Sequence, residues 1–148
     1  MEKIADPRMH SAEHILNQTM VRMFDKGRSF SAHIEKKKSK CDYKNFDRNL
    51  TPEEVAELEQ RVNEAIKSHY DVYEEFMPRA EAGKIFSLHR LPEETGDILR
   101  VIKIGNYDQC LCSGVHVKNT SEIGEFKIVS TSFENEILRI RFKLMEAN

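Results

Sequence analysis

The chain has 148 residues, of which 39% are hydrophobic and 32% are charged, and its formal net charge is −2. This composition is typical of a globular protein with a real core and excludes a disordered one. No apolar run approaches the ~20 residues of a membrane-spanning helix, and residues 1–7 lack the apolar segment of a secretory signal. We therefore expect a cytoplasmic protein without a membrane partner. The bulk charge gives no indication of nucleic-acid binding, so any such contact would come from a local patch, and we expect no DNA partner.

The cysteines also argue against secretion. Cys41, Cys110 and Cys112 are too few and too oddly numbered for a disulfide framework. In a reducing compartment, a close cysteine pair next to a histidine is more often metal-binding or inert.

The first part of the chain predicts a helix followed by a hairpin. The helix covers about Arg8 to Phe24 and ends before Gly27. Ser29 to Glu35 alternates as a half-buried strand does, and the lysine-rich residues 36–40 would form the exposed turn. The hairpin then returns through residues 41–46.

The clearest predicted helix begins after Thr51. Thr51 is an N-cap, Pro52 occupies the first helical position, and Glu54 completes a capping box. One apolar stripe follows at helical spacing, formed by Val55, Leu58, Val62, Ala65 and Ile66. This stripe predicts a helix that lies across a sheet.

The second half of the chain predicts mainly strands. Tyr70–Phe76 is a strand and Pro78–Ala82 a short helix, followed by a loop at Pro92–Asp97, a strand at Ile98–Ile104 and an irregular segment at Asn106–Gly114. A closing antiparallel pair follows at Phe126–Phe133 and Ile137–Leu144. These elements predict an α+β fold, with one domain over residues 1–148 and an antiparallel sheet packed against two main helices.

Four residues form a candidate metal site. His10 and His14 are four residues apart on the first predicted helix, so both imidazoles lie on one face. Cys112 and His116 lie in a glycine-containing loop that can turn both side chains inward. Imidazole and thiolate together favour zinc over magnesium or calcium.

Each half of this site is weak evidence alone, and rival interpretations exist. Cys110 is an alternative ligand, and a lone histidine pair on a helix is more often ordinary surface or core. The stretch from His10 to His14 also fits the H-x-x-E-H pattern of inverted zinc peptidases, in which Glu13 would activate water. Those enzymes need a larger substrate chamber than this chain can build. Glu13 is therefore better interpreted as an exposed helix residue.

Two stretches resemble a known family. The stretch His10-Ser-Ala-Glu-His-Ile-Leu resembles the H-x-x-x-H helix of the editing domain shared by alanyl- and threonyl-tRNA synthetases. The stretch from Cys112 to Gly124 is similar to the second zinc half of that domain and the turn that follows it. The chain begins almost directly at the zinc helix, and it resembles the free-standing, AlaX-type proteins of the alanyl branch. Between Cys112 and His116 it carries Ser-Gly-Val, where many alanyl-type members have two glycines and a threonine.

The resemblance implies a function for the site. It implies a threonyl/alanyl-tRNA synthetase editing-domain-like fold and one Zn²⁺ per chain, held by Cys112 rather than Cys110, with Glu13 as a bystander. It also implies an aminoacyl-tRNA deacylase that removes serine, or glycine, from tRNA(Ala) by zinc-dependent ester hydrolysis. Such an enzyme is needed because an alanine pocket cannot strongly reject glycine or serine, whereas a site that binds a hydroxyl can reject alanine. By position, Ser29 corresponds to a hydroxyl residue implicated in this recognition, although an ordinary strand serine is the alternative.

The expected partner is mischarged tRNA, contacted mainly at its acceptor end. Candidate phosphate contacts are Lys36, Lys37, Lys38, Lys40, Arg139, Arg141 and Lys143. A solvated charge run is the commoner explanation for the lysines. Two other functions remain open: a zinc-stabilised module that binds tRNA or protein without catalysis, and a zinc hydrolase of a small ester or amide.

Overall fold

The structure, a computed structural model, describes residues 6–86 and 96–145. The described residues form three α-helices, which are Pro7–Phe24 (α1), Pro52–Lys67 (α2) and Arg79–Ala82 (α3). They also form seven strands, which are Ser31–His33 (β1), Ser39–Tyr43 (β2), Val72–Pro78 (β3), Ile98–Ile104 (β4), Asp108–Leu111 (β5), Glu125–Glu134 (β6) and Ile137–Met145 (β7). A 3₁₀ turn at Thr120–Glu122 precedes β6.

The strands form two antiparallel sheets. The first sheet has the order β1-β2-β7-β6 and the second has the order β3-β4-β5. The predicted α+β class is confirmed, although the strands divide between two sheets where one was expected. Strand β5 is followed by a loop, residues 112–119, that reaches α1 through a hydrogen bond from the Val117 N–H to Oγ of Ser11 and returns to the start of β3, where the Val72 N–H donates to the Lys118 carbonyl. That loop carries half of the candidate metal site.

Residues 106–114, which were predicted to be irregular, contain a strand. Asp108–Leu111 pairs with β4, with Cys110 opposite Ile102. The prediction was wrong because Asp108 and Gln109 look like loop residues, and nothing local shows that Asp108 is buried. Of the predicted loop at Pro92–Asp97, residues 92–95 lie outside the described residues.

One apolar core joins the two long helices to the inner face of the first sheet. Its buried members include Ile15, Leu16 and Met20 of α1, Leu58 and Val62 of α2, and Tyr43, Phe126, Leu138 and Phe142 of the strands. Each such side chain contributes about 1.5–3 kcal/mol on burial. Cys41 is fully buried in the same cluster and packs there as an apolar residue. This core fixes α1, and with it the two histidines, against the sheet.

Helix α2 begins where the sequence predicts and covers β6, an edge strand of the first sheet. The Thr51 side chain accepts from the Glu54 N–H, and the Glu54 carboxylate accepts from the Thr51 N–H, so the capping box is present. Farther along, Asn63 exchanges two hydrogen bonds with the backbone of Phe126, and Glu59 accepts from the Ile128 N–H. These side chains occupy backbone groups of β6 that an edge strand would otherwise leave unpaired.

The turn between β6 and β7 has two residues, Asn135 and Glu136. Their φ angles are 52° and 65°, as a type I′ hairpin turn requires. In the described part of the chain, no helix has both the length and the apolar character needed to cross a membrane.

Candidate metal centre

The structure brings the four predicted ligands together. Helix α1 presents His10 and His14, and the loop after β5 presents Cys112 and His116. One ligand atom from each lies within 4.8 Å of all the others. The Cys112 Sγ is 3.6 Å from Nε2 of His10 and 3.5 Å from Nε2 of His116. Tetrahedral zinc, with bonds of about 2.3 Å to sulfur and 2.0–2.1 Å to nitrogen, sets these atoms about 3.5 Å apart. The donor set therefore fits one zinc ion.

Two of the imidazoles are fixed through their outer nitrogens. Nδ1 of His10 lies 3.4 Å from the Val115 carbonyl oxygen, to which it donates. Nδ1 of His116 lies 3.0 Å from Oγ of Ser11, which also accepts from the Val117 N–H. A proton on each Nδ1 leaves Nε2 as the ligand atom, which is the usual arrangement around a protein-bound metal.

The third imidazole, His14, faces a buried carboxylate. Its Nδ1 lies 3.7 Å from Oδ2 of Asp108, and no hydrogen-bond partner among the described residues reaches it. The Asp108 side chain is fully buried and accepts from Arg28 at 2.7 and 3.3 Å and from Gln18 at 2.9 Å. A carboxylate behind a histidine ligand orients the ring and makes it a stronger donor to a metal.

The charges around the site favour a thiolate. Burial alone would raise the pKa of Cys112, but hydrogen bonds with His10, His116 and His14 lower it to about 3. Burial alone would lower the pKa of His14, but Asp108 and the Cys112 sulfur raise it to about 9. Because the thiolate is the metal-binding form of cysteine, Cys112 is poised to ligate.

The loop that carries Cys112 is held by Arg100 and by a close approach to α1. The Arg100 guanidinium donates to the carbonyls of Cys112 and Gly114 at 3.0 and 2.8 Å, and to Glu74 at 2.6 Å. A Cβ added at Gly114 would overlap the ring of His10. Glycine therefore lets the loop come close enough to α1 for the two halves of the site to meet.

Glu13 is not the exposed residue that was expected. Its side chain is only 14% exposed, and its Oε1 lies 3.7 Å from Nε2 of His10. The prediction was wrong because Glu13 follows His10 by three residues and so shares its helix face. Cys110, the rival ligand, stays outside the cluster: its Sγ contacts the Leu111 carbonyl, and burial raises its pKa to about 11.

Ser29 lies near the same face of α1. Its backbone N–H donates to Oδ1 of Asn17, one turn beyond His14, and Tyr43 donates to the same oxygen. The Ser29 hydroxyl donates to the Ser31 carbonyl at 2.7 Å. That bond uses the hydroxyl proton and leaves the oxygen lone pairs as acceptors.

The candidate tRNA contacts lie in the hairpin turn and on strands β2 and β7. Lys36, Lys37 and Lys38 are exposed at the hairpin turn, as expected. Arg139 is bound to Asp42 by hydrogen bonds of 2.8 and 2.9 Å. Lys40 and Arg141 are directly opposite each other on β2 and β7. Contact with tRNA stays a prediction for all of them.

Sequence reasoning missed the residues that support the ligands. Ser11, Arg100, Asp108 and Gly114 contact the ligands or their loop, and Arg28 holds Asp108 in place. Arg28, Arg100 and Asp108 are far along the chain from the residues that they support. Ser11, next to His10, and Gly114, within the ligand loop, are local to the predicted ligands. The roles of Arg28, Arg100 and Asp108 are recognisable only after folding.

The sequence of the chain is similar to those of tRNA synthetases. Residues 99–140 match the family described as threonyl and alanyl tRNA synthetase second additional domain. The predicted resemblance to the editing domain shared by alanyl- and threonyl-tRNA synthetases is confirmed.

Several alanyl enzymes are similar to the chain. The chain is 37% identical over 122 residues to alanine–tRNA ligase of Listeria monocytogenes serotype 4b (strain F2365), a match that covers 82% of the chain and 14% of the ligase. Over 124 residues it is 36% identical to alanine–tRNA ligase of Bacillus subtilis (strain 168), covering 83% and 14%. Over 126 residues it is 36% identical to alanine–tRNA ligase of Fervidobacterium nodosum, covering 84% and 14%. These matches thus span about one seventh of each ligase.

Proposed function

We propose that the chain is an aminoacyl-tRNA deacylase, a carboxylic ester hydrolase that edits mischarged tRNA(Ala) in the cytoplasm. Its first substrate would be serine esterified to tRNA(Ala), and glycine the second. The observation that carries the proposal is the cluster of His10, His14, Cys112 and His116, in a chain related to alanine–tRNA ligases over 82% of its length.

The residues of the site would have different roles in hydrolysis. His10, His14, Cys112 and His116 would hold one zinc ion, which when bound supplies Lewis acidity towards an ester carbonyl and lowers the pKa of water. The Glu13 carboxylate, 3.7 Å from Nε2 of His10, places a negative charge at the rim of the cluster. That charge attracts the cationic α-amino group of an aminoacyl ester. Arg100 keeps the ligand loop in place through the carbonyls of Cys112 and Gly114.

A set of four protein ligands usually indicates a closed, structural zinc site. Hydrolysis therefore requires either that one ligand gives way to substrate or water, or that the ion orders the pocket while neighbouring residues position the ester. The variant Cys112→Ala separates these two routes. Retained zinc with altered activity supports a displaceable ligand, and complete loss of zinc contradicts it.

Ser29 would recognise the hydroxyl of serine. Because its own proton is donated to the Ser31 carbonyl, its oxygen can accept from a substrate hydroxyl, which alanine lacks. Ser29→Ala should lower serine release by about tenfold and leave glycine release nearly unchanged. Ser31→Ala, an exposed neighbour on β1, is the matched control. Equal loss with serine and glycine would contradict a recognition role.

The proposal is tested by release of serine, glycine and alanine from tRNA(Ala) charged with each, with and without a chelator. We expect metal-loaded protein to release serine and glycine and to leave alanine attached, and chelation to stop the reaction. Failure to hydrolyse any charged tRNA would refute the proposal and favour the non-catalytic binding module. Cleavage of small aminoacyl esters but not of tRNA esters would favour the small-ester hydrolase.

A further inference from the structure

The outer face of the four-stranded sheet carries two pairs of like charges. Lys40 of β2 is directly opposite Arg141 of β7, and Lys127 of β6 is directly opposite Lys143 of β7. Residues so paired have Cβ atoms about 4.5–5.5 Å apart, and like charges at that separation destabilise a sheet. We call these four residues the cationic rows.

In the adjoining row of the same face, opposite charges face each other, which is the usual arrangement in a sheet. There, Asp42 is opposite Arg139, and the two form hydrogen bonds of 2.8 and 2.9 Å. Within the described ranges, neither Lys40 nor Arg141 nor Lys143 forms an ion pair, and Lys127 reaches Glu59 only at 4.0 Å. Repulsion in the cationic rows is therefore relieved only in part among the described residues, by the long Lys127–Glu59 contact and by the Asp42 carboxylate in the adjoining row, which attracts Lys40 and Arg141.

The rows adjoin a shallow depression and several hydroxyl groups. The depression has a volume of about 210 Å³ and is lined by His33, Glu35, Lys38, Ser39, Lys40 and Arg141. Ser130 is opposite Arg141, and Ser132 is opposite Arg139. Hydroxyl and cationic side chains are the usual protein partners of phosphate oxygens.

The spacing of the rows suits a chain of anions. Arg141 and Lys143 are two residues apart on one strand, which is about 6.8 Å. Net charge does not predict this face, since the whole chain is at −2. Acidic residues are instead concentrated on α2, at Glu53, Glu54, Glu57, Glu59 and Glu64.

We propose that the cationic rows bind successive backbone phosphates of the substrate tRNA. This inference rests on the proposed function for the choice of tRNA as partner. Phosphates bound over the rows would attract the positively charged side chains. Binding would therefore offset the destabilisation that repulsion between these side chains causes in the unbound sheet.

The test compares Arg141→Thr and Lys40→Thr with Arg139→Thr, all in metal-loaded full-length protein. Threonine suits a strand, and the two arginine variants change the same residue type on the same strand face. The two measurements are thermal unfolding at low salt and binding of uncharged tRNA(Ala) across a salt series.

Arg141→Thr and Lys40→Thr should each raise the unfolding midpoint and weaken tRNA binding by roughly threefold to tenfold, with the slope of log K against log salt falling by about one. Arg139→Thr should lower the midpoint, because Asp42 loses its partner, and should leave the slope unchanged. Wild-type tRNA binding by the Arg141 and Lys40 variants would overturn the proposal. The proposal would also be overturned if the same substitutions weakened binding to phosphatidylserine vesicles more than they weakened binding to tRNA.

This outcome is separable from that of the proposed function, because uncharged tRNA needs no hydrolysis. If the rows bind tRNA but the protein deacylates no charged tRNA, the proposed deacylase function is refuted and the proposed phosphate-binding surface is retained. If Arg141→Thr and Lys40→Thr both deacylate tRNA at the wild-type rate when tRNA is limiting, only the proposed phosphate-binding surface is refuted.

Discussion

At the residue scale, the side chain of Asp108 supports the candidate metal centre from outside. It is fully buried and faces His14 across 3.7 Å, while Arg28 and Gln18 hold its two oxygens. Burial alone would raise its pKa, but the interactions with His14 and Arg28 hold the pKa well below its usual range. The group is therefore an anion in the folded protein.

Asp108→Asn should weaken metal binding by about 10–100-fold, because the histidine loses the carboxylate that orients it. The measurement is a competition titration with a chromophoric chelator. Asp42→Asn is the matched control, since Asp42 is likewise bound to an arginine and lies away from the cluster. An unchanged affinity in Asp108→Asn would show that the carboxylate does not support the site.

Gly114→Ala should also impair the centre, although residue 114 is not itself a ligand. A methyl group there overlaps the His10 ring, so either the ring or the loop must move. We expect weaker metal binding and a lower unfolding midpoint, measured by the same titration and by thermal denaturation. Ser113→Ala, at the neighbouring loop position, should bind metal as the wild type does. Wild-type binding by Gly114→Ala would contradict the close approach.

At the residue scale, the sequence predicts the four clustered residues but not their supports. Spacing within α1 and within the loop was enough to select His10, His14 and His116, and the family resemblance selected Cys112 over Cys110. Asp108 could not be predicted, because its contact with His14 spans 94 positions and its strand had no alternating pattern.

At the element scale, the start of α2 depends on charge as well as on capping. Glu54 accepts from Arg48 at 2.7 and 3.0 Å as well as from the Thr51 N–H. These hydrogen bonds lower the pKa of Glu54 from 4.5 to about 2. A carboxyl group whose pKa is lower in the folded state stabilises the fold above its unfolded pKa, and this contribution is lost as the pH falls.

Glu54→Gln should therefore reduce the free energy of unfolding by about 0.5 kcal/mol at neutral pH, a value kept small because the ion pair is partly exposed. Glutamine can still complete a capping box, so the variant isolates the effect of charge. The deficit should shrink as the pH falls below 4.5 towards about 2, as measured by urea denaturation across that range. Glu53→Gln serves as the neighbouring control. A deficit that did not depend on pH would rule out the ionic contribution.

The hairpin between β6 and β7 offers a stabilising change. Glu136 has a φ of 65°, a conformation that costs an ordinary residue about 1 kcal/mol and glycine almost nothing. Glu136→Gly should raise the unfolding midpoint by about 2–4 °C. Glu134→Gly, at a paired strand position, should lower it. A lower midpoint in Glu136→Gly would show that the turn is not strained.

Elements were predictable where their signals are local. The α2 cap, its apolar stripe and the β6–β7 hairpin depend on short-range sequence patterns. Each was predicted from the sequence and is present in the structure. Strand β5 was missed because its first residue, Asp108, is buried only through contacts with α1 and with Arg28. The division into two sheets depends equally on long-range packing.

At the scale of the whole molecule, the candidate centre links α1 to the loop after β5, which hydrogen bonds such as those of Gln18 with Asp108 and of Ser11 with Val117 also hold together. Helix α1 belongs to the core beneath the first sheet, whereas Cys112 and His116 follow the second sheet. A metal ion would therefore act as a cross-link between them, and its binding energy would add to the stability of the fold. This arrangement accounts for a site whose two halves are about a hundred residues apart.

The most direct test of this account is titration of metal-free protein with Co²⁺, followed by its absorption spectrum. We predict saturation at one ion per chain, with tetrahedral d–d bands and a sulfur-to-cobalt charge-transfer band. Cys112→Ala should lose the charge-transfer band, His10→Ala should weaken binding, and Cys110→Ala should leave the spectrum unchanged. A charge-transfer band that survived in Cys112→Ala, or the absence of saturable binding in the wild type, would contradict the account.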